Sequence, residues 1–346
     1  MEKILSFIIP AYNAEQYLIK CLDSFILSDS QETIEVFIIN DGSKDHTEQI
    51  ALEYSRRYPG LFSLVSKENG GHGSAINTGV QYITGKYMKV IDADDWVNTS
   101  QLSALVKKLK HCDADVVVTP YHTVHMLSEE RVLYPLFLNK YDQNYQLKDV
   151  LNQWRAFEHG ICFHGIFYRT DFYKNHGELL SEKIFYEDQE YVTIPFFSAK
   201  SICPLNIPLY EYQIGNRNQS MSSENRSARL GDLEKVIQHL TSYYKRNVRN
   251  FSEVEKSFYL KRLETTVLSY YINACLASAN RKEGRRRCNW LNREIFSLDL
   301  RWKNSITKKY WIYHSLSILG VSEGQYRKLL DSRAYKKFRK KGMITK

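Results

Sequence analysis

The sequence predicts an α/β protein with a mainly parallel sheet flanked by helices, followed by a helical C-terminal region. Two patterns predict this fold class. Short β-branched runs alternate with amphipathic helical segments up to residue 98, and helical spacing dominates beyond residue 226. Because 346 residues exceed what one hydrophobic core usually serves, we expect two domains, at 1–225 and 226–346.

The first strand-helix unit begins with the apolar run ILSFII at 4–9, which predicts a strand that stops at Pro10. The segment that follows has the apolar spacing of an amphipathic helix. Its apolar positions are Tyr17, Leu18, Cys21, Leu22, Phe25 and Ile26.

The same pattern then repeats along the chain. IEVFIIN at 34–40 predicts a strand, and SKDHTEQIALEYSRRY predicts a helix that starts with capping residues. FSLVS at 62–66 and YMKVID at 87–92 predict two more strands. Strands that alternate with helices imply a parallel sheet, whose ligands bind beyond the carboxyl ends of the strands. These ends carry Pro10, Asp41 and Asp92.

Beyond residue 98 the pattern changes. Residues 113–124 predict a helix end and a strand, and 125–225 mix short strands with aromatic-rich connections. Two later segments are predicted amphipathic helices. Their apolar faces carry Leu230, Leu233, Ile237, Leu240 and Tyr244, then Leu260, Leu263, Val267 and Tyr271.

The positive charge of the chain is concentrated near its C-terminus. Residues 281–346 have 19 Lys and Arg against 5 Asp and Glu, whereas residues 1–280 have 29 against 34. A basic segment with interleaved aromatic residues suits an anionic membrane surface, nucleic acid or an acidic partner, or is a solvated helix face. We expect peripheral membrane contact through 281–346 and do not expect nucleic acid.

Hydropathy and cysteine usage restrict the class of protein further. No apolar stretch approaches the roughly 20 residues of a spanning helix. The six cysteines form no CxxC motif, which argues against a zinc site and a disulfide framework. We therefore expect a cytoplasmic protein, peripheral at the cytoplasmic face of the membrane.

The stretch KVIDADDWV at 89–97 places Asp92, Asp94 and Asp95 within four positions. Carboxylates this close repel one another unless water or a cation screens them. Their hard oxygen ligands suit Mn²⁺ or Mg²⁺, so the stretch is a candidate metal site. A solvated loop or a helix N-cap is the alternative.

Four motifs stand in order along the chain: IIPAYN at 8–13, INDGSKDHT at 39–47, DADD at 92–95 and YEDQEY at 186–191. Together they resemble the family 2 glycosyltransferases, which have the GT-A nucleotide-sugar-binding fold, over roughly residues 4–222. The resemblance implies an inverting, metal-dependent enzyme with Mn²⁺ or Mg²⁺ as cofactor and a UDP-sugar as donor. We expect a bacterial hexosyltransferase, with glucose or galactose favoured, acting on a hydroxyl of a glycan, glycolipid or glycoprotein.

The resemblance assigns the acidic stretch to the donor diphosphate. Asp92, Ala93 and Asp94 lie beside it, and Asp94 and Asp92 are the metal ligands. Asp95 either shares that role or caps the next helix. The cation would neutralise charge that builds on the leaving nucleoside diphosphate.

The nucleotide site is also assigned by the resemblance. Pro10, Ala11 and Tyr12 hold the nucleotide, and Asp41 binds the uracil imide N–H. Asn40 stands where the family has a second aspartate. Asn40 carries no charge but still forms hydrogen bonds, so we expect base recognition to survive.

The glycine-rich stretch at 69–79 does not match a dinucleotide fingerprint, because Ile76 stands where that motif requires a small residue. It resembles instead a family segment whose small residues let the backbone approach the donor, here with Asn69 and Gly71. Ile76 occupies a position where the family commonly has an arginine. His72 is a candidate contact to the donor sugar.

Glu187 and Asp188 match the family's Glu-Asp pair. By the resemblance, Asp188 is the general base that takes the proton from the attacking hydroxyl, and Glu187 orients donor or acceptor hydroxyls. Arg217 and Ser220 match a loop near the diphosphate. For each of these pairs, an ordinary surface turn or loop is the alternative.

Aromatic residues between the motifs are candidates for acceptor binding, although such residues are more often core. They are Trp154, Phe163, His164 and Tyr168.

Two other functions remain open. A nucleotidyltransferase also combines a nucleotide-binding α/β sheet with acidic metal ligands, but PAYNAEQY lacks the basic, glycine-rich loop expected there. An inactive transferase scaffold that binds membranes or nucleic acid through its basic tail is the non-enzymatic alternative.

Overall fold

The computed structural model describes residues 2–26, 31–215 and 229–331. Within these ranges, the contacts between Cα atoms divide the chain into two compact units. The first comprises residues up to 215 with Asn250–Tyr259, and the second comprises 229–249 with 260–331. No helix in the described ranges combines the length and hydropathy that crossing a bilayer requires.

The first unit has the predicted α/β character, with helices flanking a central sheet. Its strands are β1 (Leu5–Ala11), β2 (Ile34–Asn40), β3 (Phe62–Ser66), β4 (Tyr87–Val90), β5 (Trp96–Val97), β6 (Val116–Val118), β7 (Tyr121–His125), β8 (Arg131–Tyr134), β9 (Tyr145–Gln146), β10 (Ile166–Arg169), β11 (Ser201–Pro204) and β12 (Tyr210–Ile214). Its helices are α1 (Leu18–Ile26), α2 (Thr47–Arg57), α3 (His72–Tyr82), α4 (Thr99–Lys110), α5 (Leu147–Asn152), α6 (Trp154–Phe157), α7 (Thr170–Asn175) and α8 (Asp188–Ser198).

The strands form two sheets, in the orders β3-β2-β1-β4-β10-β6-β11-β9 and β5-β12-β7-β8. The strands β1 to β4 pair in parallel, as the alternation of strands and helices predicts. The strand β10 is antiparallel to both β4 and β6, so only part of the sheet is parallel. Its direction is decided by long-range pairing, which the local sequence pattern does not contain.

The centre of the large sheet is covered by tightly packed helices. Every residue of β1 is buried, and the ring of Phe7 packs edge-on against Phe25 of α1, with centroids 4.8 Å apart. On α3, a Cβ at Gly79 would lie 2.5 Å from Ile8 Cγ2, so the helix approaches β1 closely only because residue 79 is glycine. The N-terminus of α3 is thereby held at the carboxyl edge of the sheet.

Pro10 lies near the carboxyl end of β1, inside a central strand. The last residue that pairs β1 with β4 is Ile8, so the missing N–H of Pro10 removes no hydrogen bond from that ladder. Beyond this point the two strands diverge, and the loop from Asp92 to Asp95 begins.

Beyond residue 229 the described chain is helical, as predicted. The helices are α9 (Leu230–Asn247), α10 (Glu253–Ile272), a short π-helix (Asn273–Ala277), α11 (Arg281–Ile295), α12 (Leu300–Ile318) and α13 (Glu323–Asp331). All nine apolar residues predicted to face the core are buried. The second unit is also tied by an ion pair in which Arg287 Nη2 lies 2.6 Å from Glu234 Oε2.

Candidate active site

Three carboxylates converge in the loop after β4. Asp92, Asp94 and Asp95 each offer an oxygen within 4.8 Å of the others, because the Asp95 N–H donates to the Asp92 carbonyl (3.0 Å) and closes a tight turn. Burial and the charge of Asp92 raise the pKa of Asp94 to about 6. The fold therefore brings the like charges together instead of separating them.

Asp95 is held by the protein itself. Its carboxylate accepts hydrogen bonds from the Tyr210 hydroxyl and the Gln213 N–H, both at 2.7 Å, and its side chain is buried. The same Tyr210 hydroxyl accepts the Asp92 N–H at 3.2 Å. Asp95 thus ties the acidic loop to β12, whereas Asp92 and Asp94 are partly exposed.

Asp92 and Asp94 fit a divalent cation. Both are partly exposed, and carboxylate oxygens are the ligands that Mg²⁺ and Mn²⁺ prefer. The raised pKa of Asp94 shows that its ionised form is destabilised by burial and by Asp92. A bound cation would reverse that effect by favouring both charges.

His72 joins the acidic loop to the second acidic motif. At the N-terminus of α3, its Nε2 lies 2.9 Å from Asp92 Oδ1 and its Nδ1 lies 2.7 Å from Glu187 Oε1. Burial lowers the pKa of His72, but its hydrogen bonds to the two carboxylates raise it by more, to well above the usual value. A protonated imidazole donates from both nitrogens, so His72 bridges two carboxylates that would otherwise repel.

Asp188 stands beside this bridge as the first residue of α8. Burial and the charge of Glu187 raise the pKa of Asp188 to about 6. Its Oδ2 accepts a hydrogen bond from Gln189 Nε2 at 3.0 Å. The preceding Tyr186 has a left-handed backbone, with φ of 72°, which makes the sharp turn into α8.

The loop before α8 is anchored on α3. The side chain of Asn77 donates to the Leu180 carbonyl (2.9 Å) and accepts the Leu180 N–H (3.0 Å). A Cβ at Gly73 would lie 2.4 Å from the Ser181 carbonyl oxygen, so only glycine permits this contact. These contacts hold Glu187 and Asp188 near the N-terminus of α3.

Asp41 has partners within the protein for both carboxylate oxygens. Oδ1 accepts from the Gly70 N–H (2.9 Å) and from Lys67 Nζ (2.8 Å), and Oδ2 accepts from the Gly71 N–H (2.7 Å). The side chain of Asn69 donates to the Asp41 carbonyl at 2.9 Å. Asp41 therefore holds the loop that leads into α3, a role that the sequence did not predict.

The other predicted nucleotide residues differ in exposure. Pro10, Ala11 and Ala93 are buried, whereas the Tyr12 side chain is 52% exposed at the same edge of the sheet. Gly71 has φ of 86° at the start of α3. Arg217 and Ser220 lie outside the described residues.

The aromatic candidates for acceptor binding have separate environments. Tyr168 is fully buried, and Trp154 packs against Phe258 with centroids 5.4 Å apart. The Phe163 ring lies 5.8 Å from the His72 ring. His164 stacks on Tyr212 with centroids 3.9 Å apart. Of the four, Phe163 and His164 therefore lie nearest the acidic site, His164 through its 5.0 Å contact with the Tyr210 ring.

Sequence reasoning missed the residues that support the acidic groups: Lys67, Asn77, Tyr210 and Gln213, and the bridging role of His72. The glycines on both sides of His72 were a usable signal, because they indicate close backbone approach at a helix start. The contacts of Tyr210 and Gln213 with Asp95 span more than 100 positions, and no local pattern indicates them.

Comparisons with known proteins bear on the family and the fold of the chain. Residues 6–177 match the model of glycosyl transferase family 2. The chain is 36% identical over 119 residues to the glycosyltransferase GlyA of Streptococcus pneumoniae serotype 4, covering 34% of this chain and 17% of that protein. It is 25% identical over 311 residues to the uncharacterized glycosyltransferase EpsJ of Bacillus subtilis, covering 87% and 85%.

The fold is also similar to a solved structure. The crystal structure of S. aureus TarS residues 1–349 in complex with UDP-GlcNAc aligns with a TM-score of 0.68 and 18% identity, covering 94% of this chain and 92% of that one. At this identity the likeness concerns the fold, which is the GT-A fold expected from the motifs. Through residues 6–177, this chain belongs to glycosyl transferase family 2.

Proposed function

We propose that the protein is an inverting, metal-dependent hexosyltransferase that uses a UDP-sugar and glycosylates a hydroxyl of a glycan, glycolipid or glycoprotein. The observation that carries the proposal is the His72 bridge between Asp92 and Glu187. The bridge joins Asp92 of the acidic loop to Glu187, the residue before Asp188, which supports a site where a donor and an acceptor are held for one displacement.

Asp188 is the general base in this proposal. It takes the proton from the acceptor hydroxyl while the acceptor oxygen bonds to the anomeric carbon and the bond to the diphosphate breaks on the opposite face. With a pKa of about 6, Asp188 is mostly ionised at neutral pH and more basic than an ordinary aspartate. Glu187, held by His72, orients a sugar hydroxyl beside it.

Asp92 and Asp94 would hold Mn²⁺ or Mg²⁺, which supplies positive charge against the leaving diphosphate when bound. Asp95 keeps both ligands in place through Tyr210 and Gln213. Tyr12 is exposed for contact with the nucleotide base, and Asp41 shapes the adjoining loop through Gly70 and Gly71. Direct contact of Asp41 with the uracil, and of Arg217 and Ser220 with phosphate, are further parts of the proposal.

Release of UDP from a panel of UDP-sugars tests the proposal, with Mn²⁺ or with a chelator. The panel contains UDP-glucose and UDP-galactose, and UDP-GlcNAc because TarS was crystallised with it. Metal-dependent release from one donor, lost in Asp188→Asn, is the expected result. Release of pyrophosphate from UTP in a parallel assay with a sugar 1-phosphate would indicate a nucleotidyltransferase, and neither turnover nor UDP binding would indicate an inactive scaffold.

The membrane contact predicted for 281–346 is also part of this proposal. An enzyme whose acceptor is carried on a lipid has to reach the bilayer, and the described helices offer no span. The contact that we propose at the cytoplasmic face is made by the basic residues of 281–346.

A further inference from the structure

The helix α12 exposes a cluster of large apolar side chains on one face. Trp311, Ile312, Ile318 and Leu319 are 55, 55, 64 and 76% exposed. At 100° per residue they span about a third of the helix circumference. The opposite face carries the side chains that α12 buries: Trp302, Ile306, Tyr310, Tyr313 and Ser317. We call the four exposed residues the apolar cluster.

A basic segment of α11 packs against the C-terminal half of α12. The first two turns of α11 carry Arg281, Lys282, Arg285, Arg286 and Arg287 against the single acid Glu283. Arg285 Nη1 donates to Ser317 Oγ at 2.9 Å, on the face of α12 opposite the apolar cluster, so α11 packs against the C-terminal half of α12. On the same half of α12, the His314 ring lies 4.9 Å from the Trp311 ring of the apolar cluster. Burial lowers the pKa of His314 and the charge of Arg285 lowers it further, which agrees with Arg285 lying near this end of α12.

We infer that the apolar cluster and the adjacent basic turns of α11 dock on an anionic lipid bilayer. Isoleucine and leucine side chains enter the boundary between headgroups and acyl chains, and tryptophan favours that interface. Lysine and arginine at the surface attract anionic lipids, by about fivefold in binding for each residue. Nucleic acid would form ion pairs with the same lysine and arginine side chains, but it would leave Ile312, Ile318 and Leu319 exposed to water.

This inference deepens the membrane contact of the proposed function. Lipid binding is measured without donor or acceptor, so its failure is separate from a failure of sugar transfer. Exposed apolar residues of this size are otherwise a liability for a soluble surface, and a basic border makes them specific for an anionic membrane.

Flotation of the whole protein with phosphatidylcholine vesicles, with and without phosphatidylglycerol, tests the inference at low and high salt. Two variants separate the contributions. Trp311→Ser/Ile312→Ser/Leu319→Ser removes three of the four residues of the apolar cluster, and Lys282→Gln/Arg286→Gln removes two exposed charges. A matched control, Leu127→Ser/Phe137→Ser/Leu179→Ser, removes equally exposed apolar residues from the first unit. Thermal unfolding checks that each variant folds.

We expect binding to phosphatidylglycerol vesicles that weakens with salt. The charge variant should lose about 25-fold in binding, as two basic residues imply. The apolar variant should lose tenfold or more, and the control should bind as the wild type does.

Other outcomes overturn the inference. Wild-type protein that does not float with anionic vesicles at low salt contradicts it. Loss of binding in the charge variant alone indicates a surface for acidic polymers. A dimer in sedimentation velocity that only the apolar variant abolishes, without vesicle binding, indicates a second copy of this chain.

Discussion

Two acidic positions at the same edge of the sheet, Asp41 and Asp94, have opposite surroundings. The Asp41 carboxylate is buried and accepts from Lys67 and two backbone N–H groups. Asp94 is partly exposed, and among the described residues no side-chain donor contacts its carboxylate, whose pKa is raised by burial and by Asp92. A carboxylate whose partners are internal stabilises the fold, whereas one that lacks them is available to a ligand.

The largest effect on activity is expected for Asp188, the proposed general base. Asp188→Asn should lower kcat by about a thousandfold, because an amide cannot accept the acceptor proton. The measurement is UDP release with donor and acceptor saturating. Asp171→Asn changes another aspartate in the first turn of a helix and should keep full activity. Unchanged turnover in Asp188→Asn would remove Asp188 from the mechanism.

Asp94→Asn tests whether the Asp94 carboxylate binds a ligand. Activity should fall by about a hundredfold or more, because the variant loses a charged group that we propose as a ligand of the metal beside the diphosphate. Isothermal titration should show weaker Mn²⁺ binding. The melting temperature should stay equal or rise, since the substitution removes a carboxylate whose ionised form the fold disfavours. A marked loss of stability would place Asp94 with Asp41 as a structural residue.

Asp41→Asn tests whether the Asp41 carboxylate stabilises the fold. Breaking a buried, hydrogen-bonded charge pair should lower the free energy of unfolding by about 3 kcal/mol. Urea denaturation measures this quantity. Asp113→Asn is the matched control, because Asp113 also pairs with a lysine at 2.8 Å but is exposed, so its removal should cost less than about 1 kcal/mol. Equal losses of unfolding free energy in both variants would show that burial does not strengthen the pair between Asp41 and Lys67.

His72→Ala removes the link between the acidic loop and α8. We expect kcat to fall by about 10- to 100-fold with little change in the KM for donor, as for other residues that orient ligands without contacting the reacting atoms. His72→Gln should recover part of the activity through its amide donor. His46→Ala breaks an exposed His-Glu pair and should have no effect. A change confined to KM would instead support direct contact of His72 with the donor sugar.

The smallest effect is in the pH profile. The pKa of Asp188 is raised to about 6, and a general base acts when ionised, so kcat/KM should be level above about pH 7, half its maximum near pH 6 and fall below that. The fall should approach tenfold per pH unit. Rates of UDP release with saturating metal measure the profile. Activity that persists unchanged to pH 4 would contradict the assignment.

Much of the architecture could be predicted from local pattern. Short runs rich in β-branched residues and followed by turn residues, such as IEVFIIN, favour a buried strand, and the apolar spacing of Leu230 to Tyr244 defines a helix face without reference to the rest of the chain. The reversed strand β10 could not be predicted, because its direction depends on pairing with Met88 and Val117, far away in sequence.

The sequence by itself determined which groups can carry the chemistry, since the motifs around Asp92, Asp94 and Asp188 and the turn after Pro10 are local. Only the tertiary structure decided which of the polar side chains around them have partners within the protein. The Asp41 and Asp95 carboxylates have partners within the protein, and His72 bridges two carboxylates, because hydrogen-bond partners more than 20 positions away reach their side chains. The reason is physical: a carboxylate's role depends on which donors surround it, and folding brings those donors from distant segments.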